Sequence, residues 1–164
     1  MQTHPYDILP LDNGAQLIFT PCPGTKETTV DDALTTLKEE KTAMLITLMF
    51  DQEMEKNAVT TLPLYCKEQG IQWVQLPILD DDAPGGDFES QWAKHKPEII
   101  ELINNKGTIA VHCKGGSGRT GLVIGLILST LGWPAKEVIK TVQSMRPKAL
   151  SHPVQLDYFN RYTN

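Results

Sequence analysis

The stretch Val111-His112-Cys113-Lys114-Gly115-Gly116-Ser117-Gly118-Arg119-Thr120-Gly121 leaves this chain few ways to fold. Before it, Gly107 to Val111 reads as a short apolar strand; after it, Leu122 to Leu131 reads as a buried helix. A strand that passes through a glycine-rich loop straight into a helix belongs in a layered α/β structure. The glycines let successive backbone N–H groups turn inward, where Cβ atoms would crowd them. The helix start adds unpaired N–H groups and the positive end of its dipole. Together they form an anion cradle of phosphate size. Cys113 stands at its mouth, and Arg119 closes it with a planar fork that can hold two oxygens at once.

Those residue types in that order carry chemistry. A helix N-terminus favours the anionic, nucleophilic form of a nearby thiol. A cradle that holds phosphate beside a thiolate is arranged for covalent phosphoryl transfer. Thr120 can give the sulfur a hydroxyl hydrogen bond and make it a better leaving group afterwards. Lys114, Gly115, Gly116, Ser117, Gly118 and Arg119 are the candidate phosphate-binding residues. The loop is not a nucleotide P-loop, because no Gly-Lys-Ser/Thr follows the first glycine at the required spacing.

His112-Cys113-x-x-Gly116-x-x-Arg119-Thr120 resembles the signature loop of the cysteine-dependent protein phosphatases. Pro77-Ile78-Leu79-Asp80, with Pro84 four residues after the aspartate, resembles the general-acid loop of their compact dual-specificity members. Arg146-Pro147, with Gln155 downstream, resembles their C-terminal segment. From about Gln16 to the end, the chain looks most like the cyclin-dependent-kinase-associated phosphatase group and its bacterial relatives. The resemblance implies a tyrosine-phosphatase-like fold and hydrolysis through a phosphocysteine. In that scheme Cys113 attacks phosphorus, Arg119 and the loop hold the oxygens, and Asp80 protonates the leaving group. Gln155 then orients the attacking water, and His112 points away from phosphate to hydrogen-bond the backbone. Asp82 is a rival for the acid, because this loop carries three adjacent aspartates.

The implied partner is a phosphorylated protein. No added segment would build a deep phosphotyrosine slot, so phosphotyrosine, phosphoserine and phosphothreonine are all expected substrates. Lys114 beside the nucleophile also resembles the phosphoinositide phosphatases, although Ser117 stands where their second lysine would be. A phosphoinositide or other small phosphate-ester phosphatase, and a phosphate-binding module without turnover, remain open alternatives.

Global properties narrow the class. At 164 residues the chain is long enough for one domain with a full core, and a single domain over 1–164 is expected. Its 20 acidic and 15 basic residues give a net charge of −5, which disfavours nucleic acid or an anionic membrane as partner. Cys22, Cys66 and Cys113 form no disulfide framework, so a reducing, cytoplasmic setting is expected. Met1 to Pro10 lacks the apolar run of a signal peptide. None of the four histidines has metal-ligand spacing to another His or to Cys, so neither metal nor cofactor is implied.

The remaining elements follow from pattern and punctuation. A hairpin is expected over about 8–20, turning at Asp12-Asn13-Gly14. Thr29 or Asp31 can cap a helix running to about Glu40. Ala43 to Phe50 reads as a central strand, Asp51 to Ala58 as a loop or ragged turn, Thr60 to Gln69 as a helix and Ile71 to Leu76 as a strand. Asp87 to Asn105 reads as a helix kinked or divided before Pro97; later helices start at Pro134 and Pro153. Strands alternating with helices predict a largely parallel sheet covered on both faces. The site is then expected where the loops after Leu76 and His112 converge.

Overall fold

A computed structural model describes residues 3–164. The hairpin forms first: β1 (Asp7–Pro10) pairs antiparallel with β2 (Gln16–Thr20), Asp7 opposite Phe19 and Pro10 opposite Gln16. Then come α1 (Val30–Glu39), β3 (Thr42–Thr47), α2 (Asp51–Lys56), α3 (Leu62–Glu68) and β4 (Gln72–Gln75). The second half holds α4 (Gly86–Asn104), β5 (Thr108–His112), α5 (Gly118–Thr130), α6 (Ala135–Met145) and α7 (Pro153–Thr163). The sheet order is β1-β2-β5-β3-β4, and every pairing except β1 with β2 is parallel.

The signature strand β5 sits at the centre of the sheet, and all five of its residues are buried. A strand covered on both faces is apolar through its middle, as Ile109, Ala110 and Val111 are, with the polar Thr108 and His112 at its ends. One face of the sheet packs against α4 to α7 through Phe88, Ile99, Leu122, Leu126 and Phe159. The other packs against α1 to α3 through Leu34, Leu37, Met54, Leu62 and Cys66. Each such side chain contributes roughly 1.5–3 kcal/mol on full burial. Helix α5 buries ten consecutive residues, Arg119 to Leu128, so it is a core helix rather than a surface one. At Gly121 an added Cβ would lie 2.3 Å from the Ala149 Cβ, so glycine lets the segment after α6 press onto this helix.

Thr29 caps α1, its hydroxyl accepting a hydrogen bond from the Asp32 N–H. Cys22 and Cys66 are packed core thiols; burial pushes each up to about 12 and keeps it protonated. Two expectations need correction. Asp51 to Ala58 is not a loop: its first six residues form α2, with Asp51 and Glu53 in the first turn and Lys56 in the last, complementing the helix dipole. Helix α4 is not divided at Pro97. Pro97 is exposed, so the carbonyl that loses its N–H partner is on the side of the helix that water reaches.

Candidate active site

Strand β5 delivers His112 and Cys113 to the carboxyl edge of the sheet, and α5 begins five residues later. His112 is fully buried, and burial lowers it to about 4, so it is neutral. Its Nδ1 lies 3.0 Å from the Cys113 carbonyl, which can only accept, so Nδ1 carries the proton. Its Nε2 then accepts from the Thr47 hydroxyl at 2.7 Å, and that hydroxyl accepts from the Trp73 indole at 2.8 Å. The chain Trp73, Thr47, His112 thus ties the backbone at Cys113 to the neighbouring strands.

Cys113 is at the floor of the cradle rather than its mouth, with 4% of its surface exposed. The Gly116 N–H and the Thr120 hydroxyl each donate to its Sγ at 3.2 Å. Two donors aimed at one sulfur stabilise negative charge on it. Gly116 has φ +83°, and a Cβ there would lie 2.7 Å from the Pro21 nitrogen. Only glycine lets the loop turn that tightly against the end of β2. Ser117 precedes α5 without a side-chain cap, so the first N–H groups of α5 are left for another acceptor.

Arg119 is buried and held by a partner that the sequence reading missed. Both terminal nitrogens donate to Glu53 of α2, at 2.7 and 2.8 Å. Nη1 also reaches the Ile78 carbonyl at 3.0 Å. Burial pulls the guanidinium down, but its hydrogen bonds to Glu53 and the nearby Cys113, Glu53 and Asp80 charges outweigh that, and it stays above its ordinary value. The end of the fork is therefore occupied, and the buried Nε is the guanidinium nitrogen left without a partner among the described residues. Glu53 had one usable signal: a buried arginine needs a carboxylate partner.

The three aspartates separate by geometry. The Asp80 carboxylate lies 3.4 Å from Arg119 Nη2, with its side chain 67% exposed. Asp81 adopts φ +59° and lines the same cavity. Asp82 is turned back on itself, its carboxylate accepting from the Ala83 N–H at 2.7 Å, and it does not line that cavity. Gln155 is buried, donates through Nε2 to the Asp82 carbonyl at 3.1 Å, and also lines the cavity. The cavity encloses about 410 Å³ and gathers Cys113, Asp80, Gln155 and every candidate phosphate-binding residue except Gly116, whose α-carbon packs against Thr20 and Pro21.

Comparison with known proteins bears on the family and the fold. The family model "Polymorphic toxin system, DSP-PTPase phosphatase" matches residues 22–132. The "Probable protein tyrosine phosphatase type IVA B" of Dictyostelium discoideum is 26% identical over 121 residues, covering 69% of this chain and 74% of the relative. The "Tyrosine-protein phosphatase CDC14 homolog" of Schizosaccharomyces pombe is 36% identical over 98 residues, covering 57% of this chain but only 18% of the relative. The chain therefore spans a small part of that larger protein. Among solved structures, kinase-associated phosphatase with its catalytic cysteine replaced by serine superposes with a TM-score of 0.86 at 20% identity, covering 98% of this chain and 94% of that one. The match to the family model spans about two thirds of the chain and includes the whole loop from His112 to Thr120, so the chain belongs to the DSP-PTPase phosphatases and is a cysteine-dependent phosphatase.

Proposed function

We propose that this phosphatase hydrolyses phosphorylated side chains of proteins, with Cys113 as nucleophile. Its sulfur attacks phosphorus opposite the leaving oxygen, so the S–P bond forms as the P–O bond breaks. The Nε edge of Arg119 and the loop N–H groups, with Lys114 at the rim, hold the other three phosphoryl oxygens. Asp80 gives its proton to the leaving oxygen. Gln155 then orients a water, Asp80 takes its proton, and the phosphocysteine breaks to free phosphate and thiolate. Thr120 stabilises the departing sulfur through its hydroxyl.

The observation that carries this reading is the pairing of two donors on the Cys113 sulfur with an unpartnered, buried Arg119 Nε at the same cradle. A buried N–H left without a partner is costly, and a phosphoryl oxygen would satisfy it. The orientation of Asp80 toward Arg119 supports it over Asp82 as the acid. A protein substrate suits the net charge of −5 better than an anionic bilayer does. Three free cysteines suit a reducing, cytoplasmic setting, and one continuous sheet suits a single domain over 1–164. Among the described residues no helix is long and apolar enough to cross a membrane.

The test is phosphate release from matched phosphotyrosine, phosphothreonine and phosphoserine peptides, p-nitrophenyl phosphate and soluble phosphoinositides. Release from peptides above that from lipids is expected. Lipid turnover exceeding all peptides would replace this reading with the lipid one, and retention of phosphopeptide without release would make the chain a binding module.

A further inference from the structure

The lining of the catalytic cavity divides by sign. Asp80 and Asp81 come from the loop after β4, while Lys148 and His152 come from the connection between α6 and α7. At about 410 Å³ the cavity is in the range that holds a small organic molecule, so one phosphate leaves much of it unfilled. Among the described residues no carboxylate pairs with Lys148. His152 Nδ1 is buried with no hydrogen-bond partner there.

The connection that carries these two residues is built into place. Arg146 donates through Nε to the Gly116 carbonyl of the phosphate loop at 3.1 Å, and its Nη1 pairs with Asp7 at 2.6 Å. Ala149 packs on α5 at Gly121. Leu150 is 1% exposed and has φ +54°, a backbone region that a bulky branched residue adopts only under constraint. Burial of Leu150 holds that turn, and the turn sets Lys148 and His152 at the cavity. Such local strain clusters at ligand-binding segments.

We propose that Lys148 and His152 form a subsite for a second anionic group of the substrate: a carboxylate or phosphate on the peptide residue next to the phosphorylated one. The inference rests on the phosphatase reading above. The chain as a whole is acidic, so this local basic pair would decide between neighbours of opposite charge.

The experiment compares kcat/KM for p-nitrophenyl phosphate, for three phosphopeptides differing only in a neighbouring glutamate, alanine or lysine, and for a soluble short-chain phosphoinositide. The wild-type chain should favour the glutamate peptide over the lysine peptide by roughly five- to tenfold at low salt, less at high salt. Lys148→Glu should reverse that order, and Lys148→Ala with His152→Ala should bring the three peptides within about twofold. Lys148 is exposed, so the single variant should unfold at the wild-type temperature. An unchanged order in Lys148→Glu would overturn the subsite, as would a response confined to the lipid. If the wild-type chain turns over p-nitrophenyl phosphate but is blind to peptide charge, only the subsite fails. If it turns over nothing, the phosphatase reading fails with it.

Discussion

The loop from His112 to Thr120 and the loop from Leu79 to Ala83 face the same cavity, yet they are held in opposite ways. In the first, Cys113, Arg119 and Thr120 are at most 4% exposed, and the sulfur, the guanidinium and the imidazole all have named partners. In the second, Leu79 is 59% exposed, the Asp80 side chain 67%, and Asp81 sits at φ +59°. Apart from the Asp80 contact with Arg119 at 3.4 Å, its ties run through backbone: the Asp82 N–H to the Leu79 carbonyl, and the Asp82 carbonyl to Gln155. Under the proposed mechanism the difference separates two tasks. Binding charge and presenting a nucleophile benefit from groups fixed in advance. A proton donor that later acts as base must reach both a leaving oxygen and a water, and an exposed carboxylate can serve both.

Variants can break this comparison. The largest effect belongs to the fixed loop: Cys113→Ser should lower kcat on the order of 10⁶-fold, the scale on which losing a nucleophile acts. It should still bind phosphopeptide, because Arg119 and the loop remain; isothermal titration beside steady-state assays would check both. In the open loop, Asp80→Asn should slow phenyl phosphate roughly 10²–10⁴-fold and p-nitrophenyl phosphate far less, since only the more basic leaving group needs the proton. Asp82→Asn should leave this ratio alone. If Asp82→Asn, and not Asp80→Asn, carries the leaving-group dependence, the acid is Asp82.

Arg119→Lys should cost about 10²–10³-fold in kcat/KM, because an ammonium cannot bind Glu53 and phosphate along two edges. Glu53→Gln is a gentler probe. Its side chain is 22% exposed, so the loss should be on the order of 1–2 kcal/mol, or about 2–8 °C in the unfolding midpoint. A roughly tenfold fall in kcat/KM should accompany it as Arg119 loses its orientation. Wild-type kinetics in that variant would mean that Arg119 is oriented without α2.

The last effect is on stability rather than turnover, and it concerns pH. Burial lowers both His4 and His112 to about 4, from an unfolded value of 6.5. Between those values the unfolded chain binds more protons, so stability is level above about pH 6.5 and declines as pH falls towards 4. Denaturation midpoints between pH 7 and 4.5 should follow that slope, and His4→Gln should make it shallower. A flat profile would mean that neither histidine is buried in its neutral form.

The same contrast governs how much was legible in the sequence. The strand, loop and helix around Cys113 depend on residues within about ten positions of one another, so spacing alone identified them. Glu53 lies 66 residues from Arg119, on a helix with one buried residue, Met54, and apolar periodicity could not find it. What α2 did display was acid-first, base-last charge, a weaker signal than periodicity. Pro97 misled for a related reason: the pattern exposed the broken hydrogen bond but not that it faces water. The pattern favours Asp80 with Asp82 as rival; that the Asp82 carboxylate bends back on its own backbone while Asp80 lies beside Arg119 is not legible in sequence.

The central claim is that phosphate passes through the Cys113 sulfur, and one pre-steady-state measurement addresses it. In Asp80→Asn, p-nitrophenyl phosphate should still phosphorylate the enzyme, since its leaving group departs unaided, while hydrolysis of the adduct lacks its base. The account predicts a burst of p-nitrophenolate equal to the enzyme concentration. Acid quench should then give a peptide heavier by one phosphoryl group, with the modification on Cys113. Burst-free release with no adduct, or a phosphoryl group on any other residue, would contradict it.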